Sequence, residues 1–245
     1  QLQVILAYNL FMKIHIQDKT KLVNSVFTKV YKKYDFMNDV MSFGVHRLWK
    51  KNMINWMKPQ VCNKLIDVAS GTGDLAKLFS NKTNHSSVIN CIEPNKGMLK
   101  MGKDKLKNFK NIKWTQASAE KLPFKDNTFD FYTISYGIRN VTNINDALKE
   151  AYRVLKTGGR FMCLEFSTID NELLNLFYKQ YSKIIPIIGT YIVGESMPYE
   201  YLVSSIEKFY DQEELVQLMK VNGFSNIEFR NLSNGISAIH SGWKI

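Results

Sequence analysis

A glycine turn flanked by acidic residues is the part of this sequence best suited to chemistry. An apolar run leads into Gly71 and Gly73, with Asp67 before the turn and Asp74 at the start of the next helix. Glycine is needed where the backbone turns sharply and approaches a ligand closely. In open α/β sheets the ligand lies outside the carboxyl ends of the strands, so we predict that this turn binds one.

The two acids indicate the charge of that ligand. The dinucleotide fingerprint G-x-G-x-x-G is not matched, because Ala76 stands at the third glycine position. A dinucleotide would place its pyrophosphate at the helix N-terminus, where Asp67 and Asp74 would repel it. S-adenosylmethionine carries a sulfonium and an α-ammonium group, so it fits the same site. The alternative is that Asp74 is only a helix cap.

Three further segments complete the predicted site. Glu93 directly follows the second predicted strand, where a carboxylate about 20 residues beyond the turn takes the ribose hydroxyls; the alternative is a solvated side chain that caps the next helix. Residues 117–124 follow the third strand and offer polar groups to the adenine edge. Residues 133–140 end the fourth strand, where the methyl group and the acceptor atom meet. They contain no N/D-P-P-Y or Pro-Cys motif, which argues against nucleic acid as a partner.

Strands that alternate with helices position these segments, as in a parallel, doubly wound sheet. The predicted strands cover residues 64–69, 88–92, 112–116, 129–135 and, after a turn at Gly158 and Gly159, 160–166. The predicted helices cover residues 21–34, 45–57, 74–80, 95–108, 146–155, 171–185 and 211–221. Residues 227–231 and 236–240 form a hairpin that closes the sheet edge. This pattern predicts the α/β, Rossmann-like fold of class I S-adenosylmethionine-dependent methyltransferases, with seven strands.

The domain organisation follows from the same pattern. Residues 1–18 have no assigned role, and residues 19–245 form one methyltransferase domain. Within it, 19–60 form a helical lid or extension, 61–168 the cofactor-binding core, 169–210 the acceptor-side helices with an irregular apolar insertion at 186–198, and 211–245 the closing helix and hairpin. Residues 1–15 do not have the composition of a transit peptide, and a signal upstream of Gln1 stays open.

The composition of the chain excludes several classes of protein. The 245 residues are 45% apolar and 22% charged, which excludes a disordered chain. The longest apolar stretches, 4–12 and 184–193, are too short to span a membrane. The net charge is +11, but only five of the cations are arginine, which favours a solvated basic surface over a phosphate-binding one. The three cysteines have no paired spacing, so we expect neither a disulfide framework nor a metal site.

Together these motifs resemble the ubiquinone/menaquinone biosynthesis C-methyltransferases, the UbiE-type family, over roughly residues 19–243. The resemblance rests on four blocks: 26–50, 67–74, 134–142 and 152–160. Many methyltransferases share the glycine turn, whereas the first and third blocks are more specific to this family.

The resemblance implies which residues bind S-adenosylmethionine. They are Thr72, Glu93, Ser118, Ala119 and Ser135, which join the turn residues Asp67, Gly71 and Gly73 in the predicted site. Three positions depart from the residues usual in the family. Glu93 replaces Asp and is long enough to reach the ribose, and Ser118 replaces Asn or Asp, so its adenine contact would run through water. Ser70 replaces Gly and must therefore have a negative φ.

The resemblance also implies the reaction, methylation of a ring carbon of a polyprenylated benzoquinol or naphthoquinol. Ionising a quinol hydroxyl, whose pKa is about 10, pushes electron density onto the ortho carbon, which attacks the sulfonium methyl group. We expect Arg139 and Asn140 to stabilise the phenolate and to orient a water that takes the ring proton. The alternative for Arg139 is a structural clamp on Tyr34 and Asp35. His46 is expected to pack or to cap a helix.

A polyprenyl tail implies an apolar pocket, for which residues 184–193 are the candidates, with ordinary core as the alternative. Such an acceptor implies peripheral membrane association, helped by net positive charge on anionic lipid, and fits a multi-subunit quinone-synthesis complex. The expected location is the matrix side of the mitochondrial inner membrane in a eukaryote and the cytoplasm in a bacterium. Two other functions stay open: another small-molecule methyltransferase of the same fold, and a non-catalytic scaffold subunit.

Overall fold

The structure, a computed structural model, describes residues 44–169 and 197–245 continuously. It also describes the single positions 19, 21–23, 25, 26, 28, 31, 38, 39, 42, 176, 180, 181 and 184. Several predictions therefore lie outside the described residues: the clamp on Tyr34 and Asp35, most of the helix at 171–185, and nearly all of the apolar segments 184–193 and 186–198.

Helices and strands alternate along the described chain. The helices are α1 (His46–Met57), α2 (Asp74–Lys82), α3 (Lys96–Lys105), α4 (Ile144–Val154), α5 (Met197–Glu207) and α6 (Gln212–Val221). The strands are β1 (Lys64–Val68), β2 (Val88–Ile92), β3 (Ile112–Thr115), β4 (Phe129–Ser135), β5 (Leu155–Phe166), β6 (Ser225–Leu232) and β7 (Ser237–Trp243). A short 3-10 helix, Ile138–Asn140, follows β4.

The strands form one sheet in the order β3-β2-β1-β4-β5-β7-β6. Strands β1 to β5 pair in parallel, and β7 lies antiparallel between β5 and β6. The predicted fold class is therefore confirmed. Val68 lies opposite Ile92 on one side and Ile134 on the other. The carboxyl ends of β1, β2 and β4 are thus adjacent at the point where the strand order reverses, which is where such sheets bind ligands.

Local sequence explains where helices begin and why the centre of the sheet is buried. The side chain of Asp211 accepts from the backbone N–H of Glu214, and the Glu214 side chain accepts in return, a capping box that starts α6. Asn95 starts α3 by accepting from two backbone N–H groups of its first turn. Leu65 and Ile66 on β1 are fully buried, as expected for a central strand that is covered on both faces.

Two elements differ from the prediction by more than three residues. Strand β5 begins at Leu155 rather than at residue 160, because the chain continues beside β4 with a shift of register. The glycine pair within it is held by Lys244, which accepts from the Gly158 N–H at 2.7 Å and donates to the Gly159 carbonyl at 3.0 Å. The irregular insertion was predicted to extend to Pro198, but residues 197–207 form α5.

The N-terminal positions that the structure describes between 19 and 28 are helical, in line with the predicted helix at 21–34. Among the described residues, no helix has the length and apolar character needed to cross a membrane. The same part of the chain contains no group of three His, Cys, Asp or Glu side chains placed to hold a metal ion.

Candidate active site

The turn after β1 brings backbone to the edge of a cavity. Gly71 and Gly73 have φ values of 57° and 84°, which glycine adopts without strain. A Cβ on Gly73 would lie 2.6 Å from Leu106 Cδ1, so this glycine also permits close packing. Ser70 has a negative φ, as predicted for a serine that replaces glycine at this position. Its hydroxyl donates to the Asp67 carbonyl at 2.6 Å.

Glu93 is tied to this turn. Its Oε2 accepts from the Gly71 N–H and its Oε1 from the Asn95 N–H, both at 2.9 Å. Burial raises the pKa of Glu93 to about 7, although the two N–H groups oppose the shift. The side chain is only 4% exposed, so the alternative of a solvated glutamate is wrong. Each carboxylate oxygen has a further lone pair with which to accept a ligand hydroxyl.

A small cavity of about 320 Å³ lies beside the turn, and Lys50, Asp67, Thr72 and Ser135 are among its lining residues. Asp67 Oδ1 accepts from Thr133 Oγ1 at 2.7 Å. Asp67 Oδ2 and Ser135 Oγ, in contrast, are buried without a hydrogen-bond partner. Burial raises the pKa of Asp67 to about 7. Since buried polar atoms are normally paired, these two atoms indicate a polar ligand.

Asp74 is neutralised by the protein itself. Lys50 Nζ and Lys105 Nζ each lie 2.9 Å from its carboxylate. Burial alone would raise the pKa of Asp74, but the two ammonium groups hold it well below its usual range. The expectation that Asp74 attracts a cationic ligand is therefore wrong, because its charge is already paired. The helix-cap alternative is wrong as well, since Gly73 occupies the capping position and Asp74 is the first residue of α2.

A larger cavity, with about 780 Å³ of space that includes its open mouth, lies at the carboxyl ends of β1, β2 and β4, where sheets of this kind bind their ligands. The predicted site residues that line it are Gly71, Glu93, Ser118, Ala119 and Asn140. Ala69 lines both cavities, so the two adjoin. Of the other predicted residues, Gly73 and Arg139 line neither.

The N-terminal extension contacts both sides of the larger cavity. Val23 is one of the lining residues. Lys19 Nζ donates to the Val141 carbonyl at 2.6 Å, and Asn95 Nδ2 donates to Thr28 Oγ1 at 3.3 Å. The lid role of residues 19–60 stays a prediction, supported by these contacts.

Arg139 lies behind the cavity wall in a buried ion pair. Its Nη1 is 2.5 Å from Glu165 Oε1 and donates to the Tyr136 carbonyl at 2.9 Å. Its guanidinium carbon lies 5.5 Å from the ring centre of Phe166, and its Nε is buried without a hydrogen-bond partner. This geometry fits the alternative of a structural clamp. Among the described residues, Arg139 holds the carboxylate of Glu165 and the carbonyl of Tyr136. The catalytic role of Arg139 stays a prediction.

Asn140 borders the larger cavity at the end of the 3-10 helix. Its Nδ2 donates to the Tyr136 carbonyl at 3.4 Å, and its Oδ1 accepts from Tyr201 OH at 3.0 Å. Tyr201 lies on α5, which the sequence does not predict, so no pattern pointed to it. Lys50 was also missed, although it lies in the first of the four family blocks.

His46 is buried and held by Asp39. Its Nε2 lies 2.9 Å from Asp39 Oδ1, and Arg47 pairs with the same carboxylate. Burial lowers the pKa of His46. The side chain lines neither cavity, in agreement with the expected packing role.

Comparison with known proteins decides the family, because the model of the ubiE/COQ5 methyltransferase family matches residues 14–244. The chain belongs to this family. It is 51% identical over 242 residues to the Rickettsia bellii (strain OSU 85-389) protein named ubiquinone/menaquinone biosynthesis C-methyltransferase UbiE, with 96% of this chain and 97% of that protein covered. It is 45% identical over 267 residues to the Dictyostelium discoideum protein named 2-methoxy-6-polyprenyl-1,4-benzoquinol methylase, mitochondrial, with 96% of this chain and 85% of that protein covered. The resemblance seen in the sequence is confirmed.

Solved structures share the fold of this ubiE/COQ5 family member. A Thermotoga maritima SAM-dependent methyltransferase has a TM-score of 0.64 and 22% identity, covering 91% of this chain and all 100% of that one. Haemonchus contortus phosphoethanolamine N-methyltransferase 2, solved with S-adenosyl-L-methionine, has a TM-score of 0.61 and 13% identity, covering 80% of this chain and 52% of that one. At these identities the likeness concerns the fold alone.

The residues of both cavities fit S-adenosylmethionine, the methyl donor of methyltransferases with this fold. The unpartnered atoms of Asp67 and Ser135 suit its α-ammonium group, since a buried carboxylate is stabilised by a cation. The lone pairs that remain on Glu93 suit two ribose hydroxyls. The prediction that acidic residues at this turn favour S-adenosylmethionine over a dinucleotide therefore depends on Asp67 and Glu93, and not on Asp74.

Proposed function

We propose that this chain transfers the methyl group of S-adenosylmethionine to a ring carbon of a polyprenylated quinol, as the names of its ubiE/COQ5 relatives describe. The preferred acceptor is a benzoquinol of ubiquinone biosynthesis, and a demethylmenaquinol is the second. One observation carries the proposal: two cavities adjoin at Ala69, one lined by Asp67, whose Oδ2 has no hydrogen-bond partner, and the other lined by Asn140.

The donor is held by residues from four loops. Asp67 and Ser135 bind its ammonium group, Thr72 lies in the same cavity, Glu93 binds the ribose, and Ser118 with Ala119 contacts the adenine. Gly71 and Gly73 let the backbone approach it closely. When bound, S-adenosylmethionine supplies an electrophilic methyl group. The main task of the chain is then to align acceptor and donor.

On the acceptor side, Asn140 donates a hydrogen bond to the quinol oxygen beside the reacting carbon. A donor aimed at this oxygen favours the phenolate that forms as the ring carbon becomes nucleophilic. The hydroxyl proton passes to water, and the ring carbon takes the methyl group from sulfur, which is left as a neutral thioether. Loss of the ring proton to a water then restores aromaticity. An arginine side chain is not a base at neutral pH, so water takes this role. Because Glu165 balances its charge, Arg139 acts by holding the turn that presents Asn140.

The polyprenyl tail of the acceptor is insoluble in water, which brings the enzyme to a membrane surface. The net charge of +11 favours anionic lipid there. In a mitochondrion this surface is the matrix side of the inner membrane, and in a bacterium it faces the cytoplasm. A multi-subunit quinone-synthesis complex would pass the acceptor between enzymes without release into water.

The test is methyl transfer by the purified full chain from methyl-labelled donor to two short-tailed acceptors, a 2-methoxy-6-polyprenyl-1,4-benzoquinol and a demethylmenaquinol. We expect NMR of the product to place the label on a ring carbon. Asp67→Asn is expected to lose donor affinity, while Asp146→Asn, an exposed residue of α4, retains it. A label on a phenolic oxygen would indicate a different methyltransferase, and absence of donor binding by calorimetry would indicate a scaffold.

A further inference from the structure

Tyr201 reaches the cavity edge from a helix outside the sheet. Helix α5 is anchored by the buried residues Pro198, Tyr199 and Leu202. This anchorage brings the Tyr201 hydroxyl to within 3.0 Å of Asn140 Oδ1. Burial raises the pKa of Tyr201, so the phenol keeps its proton and is the donor in this hydrogen bond.

The hydrogen bonds of Asn140 determine the orientation of its amide group. The Tyr136 carbonyl can only accept, so it faces the amide nitrogen of Asn140, and the amide oxygen is left to accept from the Tyr201 hydroxyl. The nitrogen then lies 3.4 Å from the Tyr136 carbonyl and has a second N–H. Without the hydroxyl, only the long contact with the Tyr136 carbonyl opposes rotation of the amide by about 180°. Its oxygen would then take the place of that N–H.

We infer that Tyr201 is a positioning residue, which orients the Asn140 amide so that an N–H and not the carbonyl oxygen meets the ionising oxygen of the acceptor. The inference rests on the proposed function, because it names the acceptor contact of the same site. It also states a specificity: the site selects an acceptor whose oxygen next to the reacting carbon accepts a hydrogen bond and takes negative charge. A reversed amide would set oxygen against oxygen and oppose the phenolate.

The variants Tyr201→Phe and Tyr199→Phe test this with matched chemistry. Tyr199 lies on the same helix and is fully buried, and its hydroxyl has no hydrogen-bond partner. Each variant therefore removes one phenol oxygen from α5, but only the first removes a bond to Asn140. We expect kcat to fall about tenfold in Tyr201→Phe with the KM for S-adenosylmethionine unchanged, and to stay within about twofold of wild type in Tyr199→Phe.

A spectroscopic measurement separates orientation of the amide from damage to the fold. The probe is 2-methoxyhydroquinone, which is bound under anaerobic conditions in the presence of S-adenosylhomocysteine. Its ultraviolet spectrum, recorded as a function of pH, reports the ionisation of the bound probe. We expect wild type and Tyr199→Phe to lower the pKa of the bound probe equally. In Tyr201→Phe the pKa of the probe should lie about one unit higher, which corresponds to a tenfold weaker preference for the phenolate.

A double-mutant cycle shows whether Tyr201 acts through Asn140. When Asn140→Ala has removed the amide, adding Tyr201→Phe should change kcat by less than about twofold. Independent effects of the two substitutions would overturn the inference, and so would a Tyr201→Phe enzyme that behaves like Tyr199→Phe. Failure of the proposed function looks different, since wild type itself would then neither methylate a quinol nor shift the ionisation of the probe, and both proposals would fall.

Discussion

Lowering the pH from 7 to 6 is expected to weaken the binding of S-adenosylmethionine strongly, because two buried carboxyl groups of the site titrate in this range. Burial raises the pKa of Asp67 and that of Glu93 to about 7 each. The ammonium group of the donor needs the ionised form of Asp67, and the ribose hydroxyls bind best to ionised Glu93. A protonated Asp67 has no charge to pair with the ammonium group, and a protonated Glu93 is a much weaker acceptor for the ribose hydroxyls.

The size of the effect follows from the two pKa values. At pH 7 about half of each group is ionised and at pH 6 about one eleventh, so Kd rises about fivefold for each carboxyl group and about thirtyfold for both together. Binding at pH 7 also displaces about half a proton from each group, because a cationic ligand lowers the pKa of a neighbouring acid.

Isothermal titration calorimetry in two buffers of different ionisation enthalpy measures Kd and proton release together. The α-amino group of the ligand, with a pKa of about 8, stays protonated between pH 6 and 7, so the change belongs to the protein. Asp67→Asn is expected to bind more weakly at pH 7 and to retain only the part of the dependence that Glu93 supplies. The control Asp146→Asn should show the full dependence. A constant Kd between pH 6 and 7, or binding without proton release, would refute the reasoning.

Three further outcomes concern the stability of the ligand-free chain. The raised pKa of Asp67 means that its contribution to the free energy of unfolding is present below about pH 4 and lost as the pH rises through 7, so Asp67→Asn should be about 4 kcal/mol more stable than wild type at pH 8. An equal gain at pH 4 in urea unfolding would contradict this. Gly102→Ala should destabilise by about 1–3 kcal/mol, because a Cβ there would lie 2.1 Å from Trp114 Cη2; a higher unfolding midpoint would mean that the ring moves aside. His240 donates to the Gln212 carbonyl at 3.0 Å, and burial lowers its pKa to about 4. The stability it contributes, about 3 kcal/mol, is lost as the pH falls from about 6.5 to 4, so His240→Gln should lose less thermal stability than wild type between pH 7 and 4.5, and equal losses would exclude this account.

The central sheet could be predicted from sequence because its strands are short apolar runs that end at turns. Val88–Ile92 and Phe129–Ser135 have the predicted bounds. The residues that line the larger cavity could be predicted for a related reason: Glu93, Ser118 and Asn140 follow strand ends, and a parallel sheet brings those ends together. Arg139 follows the same strand, but neighbouring residues of a 3-10 helix point in different directions, so only one of the two borders the cavity.

Helix α5 and the state of Asp74 could not be predicted. Only Pro198, Tyr199 and Leu202 of α5 are buried, too few for an apolar stripe that periodicity would reveal. The lysines that neutralise Asp74 lie 24 and 31 residues away in the chain, on α1 and α3. A carboxylate looks available in the sequence until the fold brings distant cations to it.

The buried pair of Arg139 and Glu165 has a consequence for how this protein can evolve. Removing either partner leaves a single charge in the interior, a loss of about 3–5 kcal/mol, and lysine cannot replace the planar guanidinium that also holds the Tyr136 carbonyl. Descendants of this gene are therefore expected to keep both residues or to exchange both in near succession. In a newly sequenced paralogue, replacement of only one of Arg139 and Glu165 would indicate that this copy is losing its function or has acquired a different one.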